Sequence, residues 1–178
     1  AWERGYVASG VGLYDVMAKH RDLLVKDEYS EIYSANGERM LNAGTSNDAT
    51  FYIVSLPSNR LELWMLMESD RLANPVFREY YSERDVVMEE RRMSENSPSD
   101  VMYETFVSTA FDASAYANPV VGWMSDLQYI TRADLESYYR AHYGPNNAVA
   151  LLAGDVRLDE VKKLAERYFG PLKKGPES

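Results

Sequence analysis

The chain has no cysteine and just two histidines, His20 and His142. Without thiols there is no disulfide and no thiolate metal site, so any metal has to be held by His, Asp and Glu. The lack of cysteine leaves the compartment open, with a bacterial periplasmic or secreted setting preferred. Basic residues are scarce as well: 19 Lys and Arg stand against 28 Asp and Glu, a net charge of -9. That balance opposes the counterion release that drives nucleic-acid binding, so nucleic acid is not an expected partner. No apolar run reaches the length of a membrane span, and the start carries no signal-peptide pattern. What remains is 178 residues with 46% hydrophobic content, enough to bury the core of one domain. The first residue is Ala1, which points to a processed product or a piece of something longer.

Neither histidine has a second one four residues away, so the chain lacks a two-histidine metal platform. His20 sits between Lys19 and Arg21 in a stretch expected to be helical over 11–35 and ended by Asn36 and Gly37. His142 ends a helix closed by Gly144 and Pro145, where a cation simply complements the helix dipole.

Residues 80–96 contain no Gly or Pro and are rich in Glu, Arg and Met, which predicts one helix, entered near Phe77 and stopped by Pro98. Glu83 and Glu90 are seven residues apart on it. That spacing returns them to within about 20° of each other, separated by about 10 Å along the axis. Val86 and Val87 lie between them, so the shared stripe reads as partly apolar, and a carboxylate there calls for a cation, a donor or a metal. The plainer alternative is a solvated face whose acids pair with Arg84, Arg91 and Arg92.

The segment 50–56 is β-branched and aromatic and predicts a strand ended by Pro57. The polar run before it, from Asn42 through Gly44 to Asn47, reads either as an irregular edge strand able to accept an extended peptide or as a plain hairpin turn. Ser58 and Asn59 offer an N-cap for a helix over 61–72 with a core-forming apolar stripe. Ser99 and Asp100 open another over 101–111 with Phe106, Val107 and Ala110 inward, and the loop 113–123 is long enough to carry function. Thr131 and Asp134 form a capping signature before Tyr138 and Tyr139. Residues 147–155 read as a buried strand and 158–169 as an amphipathic helix.

Taken in order, Asn42-Ala43, Thr45-Ser46, Asp48, Thr50 and Tyr52; Glu83-Arg84-Asp85-Val86-Val87-x-x-Glu90; Tyr116-x-x-Pro119-Val120-x-Gly122; Tyr143-x-Pro145-x-Asn147; Gly154-Asp155; and Tyr168-Phe169-Gly170-Pro171-Leu172 form a series with distinctive gaps. The series resembles the pitrilysin/insulinase family of zinc metallopeptidases over residues 36–172. The resemblance implies an α+β fold, a mixed or antiparallel sheet with helices packed on one face, truncated at its N-terminus. It also implies a division into a helical insertion or connecting segment at 1–35, a partial metallopeptidase-like domain at 36–172 and the start of a linker at 173–178.

In that family zinc is held by two histidines of an H-x-x-E-H helix and by a glutamate on a later helix. By resemblance Glu90 is the later ligand, and Glu83 the acid one face-turn earlier that supports a ligand histidine or assists catalysis. Asn42, Ala43, Gly44 and Thr45 match the strand along which peptide substrate is laid, although Gly44 replaces a bulkier residue. H-x-x-E-H does not occur in the 178 residues. The expectation is therefore a part of a zinc endopeptidase that binds no zinc by itself, working with further domains or a partner subunit of its family. A sheet edge left uncovered also allows a homodimer. The rival expectations are a non-catalytic partner subunit and an acidic protein-binding domain.

Overall fold

The computed structural model describes residues 27–176, so His20 and the expected helix over 11–26 lie outside the described residues. Within them Asp27 takes a left-handed conformation, φ 58°, at a helix N-cap, and that helix, α1, runs Glu28–Ala35. Asn36 caps it and Gly37, φ 84°, turns the chain away as expected. The sheet follows at once. Strands β1 (Asn42–Thr45) and β2 (Thr50–Ile53) pair antiparallel, with Asn42 opposite Ile53, Ala43 opposite Tyr52, Gly44 opposite Phe51 and Thr45 opposite Thr50.

The architecture is α+β, with six further helices and this two-stranded sheet among the described residues. They are α2 (Leu61–Ala73), α3 (Tyr80–Glu95), α4 (Pro98–Ala110), α5 (Met124–Tyr129), α6 (Arg132–His142) and α7 (Leu158–Tyr168). Alternation along β2 sends Tyr52 toward the helices, where its ring receives the Arg71 guanidinium at 3.8 Å and its hydroxyl meets that of Tyr143 at 3.3 Å. Phe51 and Ile53 point the other way and stay exposed. Helices therefore back one face of the sheet.

The core centres on Tyr33 and Met65, both essentially inaccessible. Beside them Glu68 is buried on α2, a position that looks wrong for a charge until its partners are counted. One carboxylate oxygen accepts the hydroxyls of Tyr29 and Tyr33, and the other accepts Nε of Arg71 at 2.9 Å. Burial, with the Glu68 charge alongside, pushes both phenols well up, so they remain neutral donors. Arg71 loses solvation too, but Glu68 more than offsets that and holds its pKa above the usual value. Tyr139 on α6 completes the knot by donating to the Arg71 carbonyl at 2.8 Å.

Four expectations fail, each for a physical reason. Residues 58–60 wind into a single 3-10 turn, which moves the N-cap of α2 from Ser58 or Asn59 to Arg60, with no side-chain cap bond. Pro98 stops α3 and also opens α4, sitting in its first turn where the missing N–H costs nothing, with Ser97 rather than Ser99 at the cap. Phe106 and Ala110 are exposed, because the Glu104 carboxylate is drawn inward to Arg91 and the residue two further on lies roughly 200° around the helix. Residues 147–155 form no strand. Ala148 is extended, but β1 and β2 pair with each other alone, no described strand flanks this run, and Val149 and Leu151 stand exposed at 95% and 87%.

The Thr131 capping box with Asp134 is present in full, and the Asp134 carboxyl is held below its ordinary range by the Thr131 hydroxyl and N–H. Helix α7 packs on α2 through Phe169 against Trp64, and Glu62 accepts from Arg167 and Tyr168.

Removing the buried carboxylate should be far more harmful than removing the exposed one. Glu68→Ala leaves Arg71 uncompensated and is expected to cost about 3–5 kcal/mol in urea unfolding. Glu62→Ala, at a solvent-exposed pair, is expected to cost less than about 1 kcal/mol.

Candidate active-site surface

Helix α3 is fixed by its inner side. Tyr80 donates to the Ile130 carbonyl at 2.5 Å, and Arg91 is buried, its Nε giving to Glu95 at 3.0 Å and its Nη2 to Glu104 at 3.0 Å. The Arg91 guanidinium also lies 5.2 Å from the centre of the Trp123 ring, which ties in the loop before α5. The flank beside this inner side carries Glu83, Val86 and Glu90, all exposed. The partly apolar, half-buried stripe expected from the sequence is thus an open face.

The plainer alternative also fails in its details. Arg91 is spent on Glu95 and Glu104, Arg92 bonds Glu89 at 2.8 Å, and Arg84 reaches the Ile130 carbonyl at 3.5 Å. Among the described residues neither the Glu83 nor the Glu90 carboxylate takes an ion pair or a hydrogen bond. Two acids project together from one helix with their bases turned elsewhere.

The other candidate element is strand β1, the expected substrate strand. The Ser46 N–H donates to the Ala49 carbonyl at 2.8 Å at the hairpin tip, and ladder alternation from there aims the main-chain groups of Ala43 and Thr45 at the open side. The Ala43 N–H is held for the moment by its neighbour, the Asn42 Oδ1, at 2.8 Å. Gly44 lies under the Phe51 ring. Tyr116 donates to both Asp48 carboxylate oxygens, at 2.8 and 2.9 Å, and so anchors the hairpin tip to the 113–123 loop. Below the strand, burial and the Tyr143 contact raise the Tyr52 hydroxyl to about 12, so it stays protonated.

The residues present do not make a zinc site. No three His, Cys, Asp or Glu side chains converge among the described residues, and His142 packs its ring against Tyr138 at 4.3 Å. Glu90 supplies one carboxylate where a hydrolytic zinc centre needs three protein ligands.

Two long-range ties, one bracing α3 and one in the core, escape a reading of the sequence. The Arg91 brace to Glu104 joins residues 13 apart on different helices, and the Tyr29, Tyr33 and Glu68 bonds span 39 and 35 positions. The Glu68-x-x-Arg71 spacing, which puts an acid and a base one turn apart on a helix that also carries an apolar stripe, was the available signal.

Fold and motif order together define a metallopeptidase-type domain. Residues 24–122 match the family described as Insulinase (Peptidase family M16), and residues 129–178 match the Peptidase M16 inactive domain. The first match takes in more than half of the chain, which therefore belongs to the insulinase family of peptidases, M16. It is similar to the zinc protease PqqE of Helicobacter pylori, 35% identical over 135 residues that make up 74% of this chain and 30% of that protein. The crystal structure of a protease from Helicobacter pylori superposes with a TM-score of 0.79 at 32% identity, covering 85% of this chain and 37% of that one. The periplasmic protease PqqL from Escherichia coli shares the fold, with a TM-score of 0.67 at 24% identity, over 79% of this chain and 16% of that one. The chain spans about a third of the length of the curated relatives it matches. Among the described residues no helix is long and apolar enough to cross a membrane.

Hydrogen bonds from Arg91 hold the Glu104 carboxyl below its ordinary value of 4.5, against the opposing effect of burial. A lowered folded pKa gives stability that is present above the ordinary value and lost as pH falls through the folded one. Acid unfolding of the wild type is therefore expected to steepen below about pH 4.5, and Glu104→Gln to be less stable at pH 7 with a shallower acid limb. Chemical unfolding midpoints between pH 7 and pH 3 check this.

Proposed function

We propose that this chain is part of a zinc-dependent endopeptidase acting on extended peptides, with Glu90 as its distal zinc ligand, Glu83 as the supporting acid, and Asn42 to Thr45 as the substrate edge. The observation that carries the reading is the open α3 face, where both carboxylates project without a base. Unpaired acids on one helix face suit a cation brought by another segment better than they suit a solvated surface, where nearby arginines would pair with them. The outward main-chain groups of Thr45 and Ala43, the Ala43 N–H being held here by its neighbour's Asn42 Oδ1, suit an added strand. Family membership argues against an acidic binding domain of unrelated origin. A non-catalytic partner subunit of the same family is the second reading, decided by whether the intact protein carries H-x-x-E-H.

The remaining assignments follow from the same reading. Residues 1–35 are a helical insertion or connecting segment, 36–172 the partial metallopeptidase-like domain and 173–178 the beginning of a linker. Further domains or a subunit of the family supply the histidines, and the periplasmic PqqL neighbour supports a bacterial periplasmic setting. The uncovered β1 edge is also where a homodimer would form.

Metal analysis after exhaustive dialysis tests the site. This chain alone is expected to keep well under one zinc per molecule and to leave a quenched peptide uncut, since one ligand of three is present. In the intact protein Glu90→Gln should lose bound zinc, whereas Glu83→Gln should keep most of it and lower activity by about 10–100-fold. Stoichiometric zinc on this chain alone, lost in Glu90→Ala, would refute the incomplete site.

A further inference from the structure

We propose that Phe51 is the specificity-determining residue of the peptide edge and that it selects a large apolar side chain on the peptide residue opposite Gly44. The proposal rests on reading Asn42 to Thr45 as the edge that receives peptide.

Gly44 and Phe51 are cross-strand partners, so their Cβ directions share the face of the sheet turned away from the helices. Gly44 has no side chain to place there, and Phe51 takes the space. A Cβ built on Gly44 would come 2.4 Å from Cζ and 2.8 Å from Cε1 of the ring. The ring therefore leans from β2 across the backbone of β1, and it is still 59% exposed.

A strand added to the open side of β1 puts its own residue opposite Gly44 on that same face, with about 5 Å between neighbouring strands. Phe51 would ordinarily be two strands away from it, about 10 Å, and out of reach. Its lean over Gly44 removes that gap. The incoming side chain meets an aromatic face instead of a β1 side chain. Ile53, also exposed, extends the same apolar face, and neither strand contains a charged residue. A large apolar side chain buries its surface there, while a carboxylate or amide loses water with no partner in return. The glycine singled out in the substrate strand is thus the opening through which β2 reads the peptide.

The test uses the full chain and four capped heptapeptides of alternating Thr and Ser with Phe, Leu, Ala or Asp at the centre. Affinity is read by anisotropy of a terminal dye, and position by amide exchange at residues 42–45. The Phe and Leu peptides are expected to bind about tenfold tighter than the Ala and Asp peptides. Phe51→Ala should bring all four within about twofold of the Ala peptide while the protection at 42–45 persists. Gly44→Ala, which drives the ring off the strand, should do the same, and Phe51→Leu should keep part of the preference. Equal wild-type affinity for all four peptides, with 42–45 protected, overturns the role of Phe51 and leaves the edge standing. An equal loss for all four in Phe51→Ala overturns it as well. No binding, or protection elsewhere, overturns both the proposal and the edge.

Discussion

The burial of Glu68 is the constraint on which the rest of the arrangement depends. A carboxylate in this position is tolerable because two phenols and a guanidinium satisfy it, and each donor comes with an element attached. Tyr29 and Tyr33 fix α1 on α2. Arg71 holds Glu68 with one side of its guanidinium and lies under the Tyr52 ring, so the sheet is set at a defined height above α2. Tyr139 then brings in α6 through the Arg71 carbonyl. The hydrophobic centre around Tyr33 and Met65 is small, and this polar knot supplies the directional part of the packing.

Two consequences reach the surface. Because Tyr52 is committed to the helical side, strand alternation commits Phe51 and Ile53 to the open side, and Gly44 lets the Phe51 ring cross to the outer strand. A comparable logic sets α3. Arg91, buried against Glu104, Glu95 and Trp123, fixes the rotation of the helix, and that rotation places Glu83 and Glu90 outward together. One buried charge on each side of the molecule thus decides what the exposed face offers.

What could be read from the sequence was what depends on neighbours in the chain. The seven-residue spacing of Glu83 and Glu90, the Thr131 capping box, the stop at Asn36 and Gly37, and the strand before Pro57 are all local, and each is found, the strand over Thr50–Ile53 of the expected 50–56. The order of the motifs led to the right family. The failures lie where a distant partner decides. The run 147–155 has the composition of a buried strand, yet a strand exists through its neighbour and no described strand lies beside it. Phe106 has the character of a core residue, yet the ion pair of Glu104 turned the helix the other way. The exposure of Glu83 and Glu90 departs from the expectation for a related reason: Val86 and Val87 between them suggest burial, but the buried positions of α3 are Tyr80 and Arg91 and Val86 is itself exposed.

The central claim is that the α3 face with Glu83 and Glu90 is one wall of a metal-dependent peptidase site. Anomalous diffraction at the zinc edge on crystals of the intact, metal-loaded protein tests it most directly. The account predicts an anomalous peak about 2.0–2.2 Å from a carboxylate oxygen of Glu90, with Glu83 facing the same side. A peak bound elsewhere, with the Glu90 carboxylate free in solvent, would contradict it.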